Sequence, residues 1–300
     1  MRFVFLHDGT REAFDCIEPL AARLRVLGGN CNWASIETMP EDAYFRDAVV
    51  IVALRLPDPR WFDLYARREE IGCRVFRLSR GIGNIVTGAD FGAEFAYVPG
   101  PSSVRANPGH EEKMLAVGSL KLQYVREQAA TPGPTHSIVI AGDAIPGSTG
   151  ALWSLFPDRP ADPFEFRHAD RPVLTQHPGA DDAVRAEYHS LDVAKGFIEG
   201  YDTGFVAPRC GAFLCSPSSA VVFEAMLHRR RIGLVPYVDD IPSLAGTPFP
   251  VIAEPEDIDA LLASEPLADE VTAPFVADHV LGLDVDSAAL IAEHMEAMLA

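Results

Sequence analysis

A strand–turn–helix pattern at residues 212–224, AFLCSPSSAVVFE, decides the fold class. It begins with a short apolar run, continues through a serine-rich turn that contains Pro217, and passes into helically spaced apolar residues that extend to residue 229. The apolar run does not alternate with polar residues, which is typical of a strand buried on both faces of a parallel sheet. The pattern therefore predicts one strand and one helix of a Rossmann-like sheet.

The same pattern recurs along the whole chain. Apolar runs in the first part occupy 3–7, 31–36, 48–54, 73–78, 95–98 and 114–117. Those in the second part occupy 137–141, 172–175, 204–206, 212–215, 232–236 and 250–252. Helical stretches between them include 14–27, 59–71, 218–229 and 256–262. Two batches of six strands alternating with helices predict an α/β protein of two Rossmann-like parallel-sheet domains.

The boundary between these domains is predicted at 128–134, where the sequence AATPGP interrupts both periods. A chain of 300 residues is longer than the roughly 100–200 residues of a usual domain. We therefore assign 1–128 to an N-terminal domain and 135–300 to a C-terminal domain, with the last helix able to pack back on the first. That helix is expected to bury one apolar face, composed of Leu290, Ile291, Met295, Met298 and Leu299.

Charge and cysteine content exclude several classes of protein. The 25 basic and 43 acidic residues give a net charge of −18, which repels nucleic acid. The five cysteines lack the spacing of a disulfide framework or a zinc site, so they are predicted to be buried thiols in a reducing compartment. No apolar stretch reaches the roughly 18 residues of a membrane-spanning helix. We expect a cytoplasmic protein without a transmembrane segment, and peripheral association with a membrane stays open.

The serine-rich turn is the best candidate for a binding site. Parallel sheets bind ligands outside the carboxyl ends of their strands, and two such sheets facing each other would form a cleft. Ser216 or Ser218 is expected to cap the following helix, where hydroxyl and N–H groups suit a phosphate. Glu224, about two turns into that helix, can accept hydrogen bonds from ribose hydroxyls. The alternative is an ordinary capped helix with a surface glutamate.

Several weak motifs follow one another in a specific order. They are VPG at 98–100, VGSLK at 117–121, HP at 177–178, the serine pair Ser218 and Ser219 followed by Glu224, and YVDD at 237–240. With these motifs, residues 94–300 resemble the two-lobed (GT-B) nucleotide-sugar transferases of bacterial surface polysaccharides, especially the CDP-glycerol glycerophosphotransferase and capsule transferase group. The first 93 residues match that family only in their strand–helix pattern.

The resemblance implies a nucleotide-activated donor held by the C-terminal domain and an acceptor on the N-terminal side. Ser218 and Ser219 would bind the donor phosphates, Glu224 would hold the ribose, and His177 would lie near the phosphates. A histidine at the end of a strand is otherwise a capping or packing residue. A glycine-rich turn at 142–150 adds Gly147 and Ser148 as further contacts to a diphosphate, although glycine turns are commoner than phosphate sites.

One departure from the family concerns the catalytic base. Relatives often carry a His-Gly pair after the fourth strand, where this chain has Arg80 followed by Gly81. An arginine does not deprotonate a hydroxyl, but it can grip an anionic acceptor or leaving phosphate. His7 or Asp8, at the end of the first strand, is the substitute base, though a tight strand–helix turn would explain this segment equally well.

The leading function is transfer of a sugar or polyol phosphate from a nucleotide carrier to a glycan or lipid-linked hydroxyl. The alternatives are a nucleotide-sugar 2-epimerase, which shares the fold, and a catalytically silent binding or assembly protein. No cofactor is expected, since the nucleotide-linked donor is a substrate. Asp239 and Asp240 can bind a cation, but we predict no tightly bound metal because helix starts and basic residues can neutralise a leaving diphosphate.

Overall fold

The computed structural model describes residues 1–54, 57–79, 92–128, 136–141, 172–175, 182–184, 186, 197–198, 207–236 and 244–300. The chain divides into two compact units. The first comprises Met1–Glu127 together with Val276–Ala300, and the second comprises Gln128–Phe275. Each unit contains one parallel sheet. We predicted that 135–300 form the second domain and that the last helix is able to pack back on the first, whereas Val276–Ala300 as a whole belong to the first unit.

The sheet of the first unit has six parallel strands. They are β1 (Arg2–His7), β2 (Asn30–Ser35), β3 (Ala48–Ala53), β4 (Arg74–Leu78), β5 (Phe95–Val98) and β6 (Met114–Ala116). Their spatial order is β2-β1-β3-β4-β5-β6. The central strand β3, AVVIVA, is buried along its whole length, as expected of a strand covered by helices on both faces. β2 forms one edge and is correspondingly less buried.

Helices cover both faces of this sheet. They are α1 (Arg11–Val26), α2 (Pro59–Ala66), α3 (Arg68–Ile71), α4 (Pro101–Arg105) and α5 (Leu120–Gln128). The predicted helix at 59–71 is thus two helices, because Arg67 leaves helical geometry at φ −96° and ψ 9°. Alternate strand residues supply two cores: Phe3 and Phe5 pack with α1, whereas Val4 and Leu6 pack in the core that contains Trp61 of α2.

In the second unit the sheet has five strands among the described residues. They are β7 (His136–Ala141), β8 (Pro172–Thr175), β9 (Phe197–Ile198), β10 (Cys210–Cys215) and β11 (Arg231–Leu234), in the order β11-β10-β7-β8-β9. The predicted strand at 204–206 lies outside the described residues. The predicted strand at 250–252 is wrong: only Val251 pairs, in an isolated bridge with Leu234. Pro250 has no N–H with which to extend the ladder.

Among the described residues, one helix lies between the serine-rich turn and β11, and the next two helices follow β11. They are α6 (Val221–Leu227), α7 (Pro255–Ala263) and α8 (Asp269–Val280). α8 was not predicted, and it contains Pro274. Its aromatic residue Phe275 stacks on Phe223 of α6, with ring centroids 5.0 Å apart and an interplanar angle of 6°. The boundary between the two units falls within α8, between Phe275 and Val276.

The last helix, α9 (Ser287–Leu299), completes the core of the first unit against α1. Its buried apolar residues are Ala288, Ile291, Ala292 and Met295, which follow the three- and four-residue spacing of one helical face, and Ser287 at its first position is buried as well. The prediction that Leu290 belongs to this face is wrong, since Leu290 points outward and is 38% exposed. Leu290 lies one position, or about 100° of helical rotation, from Ile291. Met298 and Leu299 are partly buried against the same core.

Both sheets have a topological switch point, where successive connections leave in opposite directions. In the first sheet β2 and β3 lie on opposite sides of β1, so the carboxyl ends of β1 and β3 form the first switch point. In the second sheet β8 and β10 lie on opposite sides of β7, so the carboxyl ends of β7 and β10 form the second switch point. Ligands of open parallel sheets bind at such positions.

All five cysteines are free thiols, and four of them are buried as predicted, while Cys31 is half-buried. Burial raises the pKa of the Cys73 thiol to about 11 and that of Cys210 to about 12, so both are protonated near neutral pH. Within the described ranges, no helix has the length and apolar character needed to cross a bilayer.

Candidate functional site

His7 ends β1 at the first switch point. It is 8% exposed, and its ring lies 4.6 Å from the ring of Phe14 on α1. Its Nδ1 atom accepts a hydrogen bond from the backbone N–H of Gly9 at 3.0 Å. Burial lowers the pKa of His7, an effect that the nearby Asp8 carboxylate partly offsets. A neutral ring that accepts at Nδ1 carries its proton on Nε2, so the other nitrogen is a hydrogen-bond donor.

Asp8 follows at the start of the turn between β1 and α1. Its Oδ1 atom accepts two hydrogen bonds from Thr10, one from the backbone N–H at 3.2 Å and one from the hydroxyl at 2.6 Å. The Thr10 Oγ1 atom in turn accepts from the N–H of Ala13 at 3.3 Å and caps α1. Asp8 is therefore positioned by the cap of the next helix, as well as by the end of its strand.

An exposed aromatic ring lies beside this pair. Phe14, on the first turn of α1, is 40% exposed although it contacts His7. The neighbouring residues Ala13 and Ile17 are fully buried in the core. The ring of Phe14 is exposed to solvent beside His7 and Asp8. The first switch point therefore offers a flat apolar surface as well as polar groups.

The second switch point contains the serine turn, residues 216–219, directly after β10. Ser216 is 3% exposed, and its Oγ atom lies 3.1 Å from Oγ of Ser218. The N–H of Ser219 donates to the Ser216 carbonyl at 3.0 Å, and Oγ of Ser219 accepts from the N–H of Val221 at 3.4 Å. The predicted cap at Ser216 or Ser218 is wrong: these residues form a turn, and α6 begins only at Val221 after Ala220.

Glu224 lies on α6 and is only 3% exposed, so it is not a surface glutamate. It is the fourth residue of the helix and therefore lies one turn, not two, beyond the serine turn. Its neighbours Val222, Phe223 and Ala225 are buried as well. A buried acceptor one turn behind two hydroxyls is suited to a ligand that carries both hydroxyl and phosphate groups.

Comparison with known proteins identifies the fold that carries these two switch points. No protein-family model and no curated protein sequence matches the chain. Among solved structures, the wall teichoic acid polymerase TagF soaked with CDPG matches with a TM-score of 0.61 and 14% identity, over 100% of this chain and 89% of TagF. The UDP-GlcNAc 2-epimerase from Neisseria meningitidis bound to UDP-GlcNAc matches with a TM-score of 0.60 and 11% identity, over 98% and 99% of the two chains.

A third match is the spinosyn rhamnosyltransferase SpnG complexed with thymidine diphosphate, with a TM-score of 0.51 and 14% identity over 98% of this chain and 100% of SpnG. The chain has the GT-B fold. This fold, with two Rossmann-like parallel sheets, is the one that the sequence motifs led us to expect. At these identities the matches concern the fold, and the chemistry of this GT-B protein has to come from its own residues.

Several predicted site residues lie outside the described residues. These are His177, Gly147, Ser148, Arg80, Asp239 and Asp240. For two of the segments that contain them, the strand that precedes the segment in the chain is described. The glycine-rich turn with Gly147 and Ser148 follows β7, one of the two strands of the second switch point, and His177 follows β8. In the described part of the chain, no group of three or more His, Cys, Asp or Glu residues is arranged to hold a metal ion.

Two family-like motifs of the first unit have a structural role. A Cβ atom at Gly100 would lie 2.6 Å from the backbone nitrogen of Val280 and even closer to His279. One at Gly118, where φ is +84°, would lie 2.6 Å from Oγ of Ser287. Gln123 completes the contact, since its amide bonds both Asp286 at 3.1 Å and the N–H of Ala288 at 3.0 Å. These motifs hold the returning C-terminal segment.

Sequence reasoning missed one charged residue near the first switch point. Arg77 lies in β4 within the segment 73–78, which we interpreted as an apolar run. It is 9% exposed, and its guanidinium lies over the ring of Trp61 at 4.8 Å from the centroid. The available signal was the presence of two arginines, Arg74 and Arg77, in an otherwise apolar strand.

Proposed function

We propose that this protein is a transferase that moves a sugar or polyol phosphate from a nucleotide-activated donor to a glycan hydroxyl during synthesis of a bacterial surface polysaccharide. The observation that carries the proposal is Glu224, a buried carboxylate one turn behind the serine turn at the second switch point. Hydroxyls at the strand end suit the donor phosphates, and a carboxylate suits the vicinal hydroxyls of a ribose.

On the donor side, Ser218 and Ser219 would contact the phosphates and Glu224 the ribose. Gly147, Ser148 and His177 complete the proposed donor site, because each follows a strand of the same sheet. Groups that bind the leaving nucleotide stabilise its developing charge and thereby lower the barrier to transfer. No resident cofactor or tightly bound metal is part of the proposal. The nucleotide-linked donor enters and leaves as a substrate.

On the acceptor side, we propose Asp8 as the base that takes the proton of the attacking hydroxyl. Asp8 is favoured over His7 because Nδ1 of His7 already accepts a bond from Gly9, which leaves a proton donor at Nε2. His7 would then orient the acceptor by donating to one of its oxygen atoms. Phe14 would provide an apolar surface for a sugar ring, since it is exposed beside His7.

The 2-epimerase is a second candidate, because an epimerase matches this chain with a TM-score of 0.60, close to the 0.61 of the polymerase. The two reactions differ in their requirement for an acceptor. Incubation of the protein with a nucleotide-sugar alone converts the sugar if the protein is an epimerase. A transferase consumes donor at a substantial rate only when an acceptor glycan is added. A silent binding protein does neither and still binds the nucleotide.

The first experiment is a thermal-shift panel with CDP, CMP, UDP and GDP and their sugar or polyol conjugates. A ligand that binds the folded state raises Tm by linkage, by an amount that depends on its concentration relative to Kd. We expect one nucleoside diphosphate to raise the Tm of the wild type. We expect the same nucleotide to give no such shift in a variant in which Glu224 is replaced. The absence of a shift with every nucleotide would contradict a donor site of this kind.

A further inference from the structure

Arg77 is a buried cation near the carboxyl end of the fourth strand. It is 9% exposed, and its guanidinium stacks on Trp61 at 4.8 Å from the ring centroid. Trp61 is itself fully buried, and its indole Nε1–H donates to the carbonyl of Gly92 at 2.6 Å. The ring of Phe62 stacks on that of Trp61, with the two ring centroids 4.7 Å apart. The guanidinium therefore lies on a fixed aromatic wall.

Arg77 differs from Arg74, which lies in the same strand. Arg74 forms an ion pair with Glu94, with its Nε atom 2.6 Å from Oε2, and also lies over an aromatic ring, that of Phe76. Among the residues that the structure describes, no carboxylate pairs with Arg77, and burial alone lowers the pKa of its guanidinium to about 10. A bound anion would stabilise a buried guanidinium that no carboxylate of the described residues pairs with.

The register of the sheet places Arg77 close to the first switch point. His7 pairs with Ala53, and Val52 pairs with Arg77, so Arg77 lies one residue below the level of His7. One strand, β3, separates β1 from β4, which gives a distance of about 10 Å between the two strand ends. Arg77 faces the Trp61 side of the sheet, as do Val4 and Leu6 of β1.

We propose that Arg77, supported by Trp61, binds an oxyanion of the acceptor, a phosphate or a carboxylate, next to the hydroxyl that reacts. A guanidinium presents parallel N–H groups that match either anion, and stacking on an aromatic ring holds its plane. The ends of β1, which Asp8 follows, and of β4 are about 10 Å apart, which is the scale of one anionic unit. The identity of the ligand as an acceptor rests on the proposed function, whereas the anion site itself does not.

The test measures binding of small anions to the full-length protein without any nucleotide. The probes are glycerol 3-phosphate, glucuronate and neutral glycerol, and calorimetry measures their binding. The first two probes distinguish a phosphate from a carboxylate as the bound anion. The variants are Arg77→Met and the matched control Arg74→Met. Asp90→Asn is added because Asp90 is the one acidic residue in 80–91, a segment that lies outside the described residues. Tm is measured for all variants.

We expect one of the two anions, and not glycerol, to bind the wild type, and Arg77→Met to weaken that binding about 10- to 100-fold. Arg77→Met should leave Tm unchanged or raise it, because it removes a buried charge that pairs with no carboxylate among the described residues. Arg74→Met should lower Tm, because Glu94 loses its partner, and should keep the anion affinity. Asp90→Asn should change neither quantity.

Three results would overturn the proposal. The first is that neither anion binds the wild type, and the second is that Arg77→Met binds the anion as tightly as the wild type does. The third is that Arg77→Met and Asp90→Asn both lower Tm, which would assign Arg77 to an internal ion pair. The nucleotide panel is a separate measurement. A protein that binds the anion through Arg77 but no nucleotide would retain the anion site and lose the proposed transferase.

Discussion

The two switch points occupy equivalent places in two similar sheets, yet they present different chemistry. The first ends in His7 and Asp8, two titratable groups, with the exposed ring of Phe14 beside them. The second ends in neutral serine hydroxyls, and its one described carboxylate, Glu224, is buried in a helix behind them. The comparison teaches that one backbone topology can present titratable groups at its switch point in one unit, and neutral hydroxyls in front of a buried carboxylate in the other.

The largest expected effect follows from replacing Asp8 at the first switch point. This change should affect turnover and not the nucleotide affinity that we attribute to the second switch point. Asp8→Asn keeps the Oδ1 atom that accepts from Thr10 but removes the basic carboxylate. Turnover should fall about 10²–10⁴-fold, the range for loss of a general base. Nucleotide affinity should not change. Asp63→Asn, an exposed acid on α2, serves as the control. Wild-type turnover in Asp8→Asn would remove the base from this switch point.

Replacing Glu224 at the second switch point should instead affect nucleotide affinity. Glu224→Gln preserves the volume of the buried side chain and removes its charge, so we expect the nucleotide to bind about 1–3 kcal/mol more weakly. Calorimetry with the nucleotide found in the thermal-shift panel measures this change. The exposed Glu256 on α7, in the same unit, provides the matched variant Glu256→Gln. Equal affinities for the two variants would show that the buried carboxylate has no part in donor binding.

A third substitution tests whether motif residues of the first unit act through structure alone. Gly118→Ala places a side chain at φ +84° and against Ser287, and the left-handed conformation alone costs about 1–2 kcal/mol of unfolding free energy. Gly109→Ala is the control, since Gly109 has φ +88° and nothing within 4 Å of the added atom. Chemical denaturation should show a larger loss for Gly118→Ala. Similar losses would mean that the contact with Ser287 contributes nothing.

The smallest expected effect concerns pH and compares one histidine in each unit, the buried His7 and the half-buried His228. Burial lowers the pKa of His7 and of His228 from the ordinary value of 6.5, and Arg230 adds to the effect on His228. The unfolded chain therefore binds protons more readily, so stability is retained above pH 6.5 and decreases as the pH falls towards the lowered values. His7→Gln and His228→Gln should each make this decrease shallower. Denaturation curves between pH 7.5 and 5 would show it, and unchanged slopes would contradict it.

Much of the sheet architecture could be predicted from the sequence because parallel strands buried on both faces are nearly continuous apolar runs. The runs at 95–98 and 172–175 coincide with β5 and β8. The apolar run at 250–252 does not form a strand, because pairing depends on a neighbour and on free N–H groups that Pro250 cannot supply. The helix after the serine turn begins later than expected, because Ser216 and Ser219 use their hydrogen bonds in a turn.

The site was predictable in place but only partly in detail. The sequence located His7, Asp8 and the serine turn at strand ends, and the topology then put both groups at switch points. Burial of Glu224 could not be predicted, because its environment is made by packing rather than by its local sequence. The same holds for Arg77, whose ring contact with Trp61 joins residues from two different elements.

The position of α9 has a consequence for the order in which the protein folds. Ile291 and Met295 belong to the core of the first unit, and yet they follow the whole of the second unit in the chain and are synthesised after it. Domains at the N-terminus generally fold first during synthesis. Here the first unit lacks part of its core until Val276–Ala300 has been synthesised. The second unit, whose residues are consecutive, can complete its own core before the first unit does.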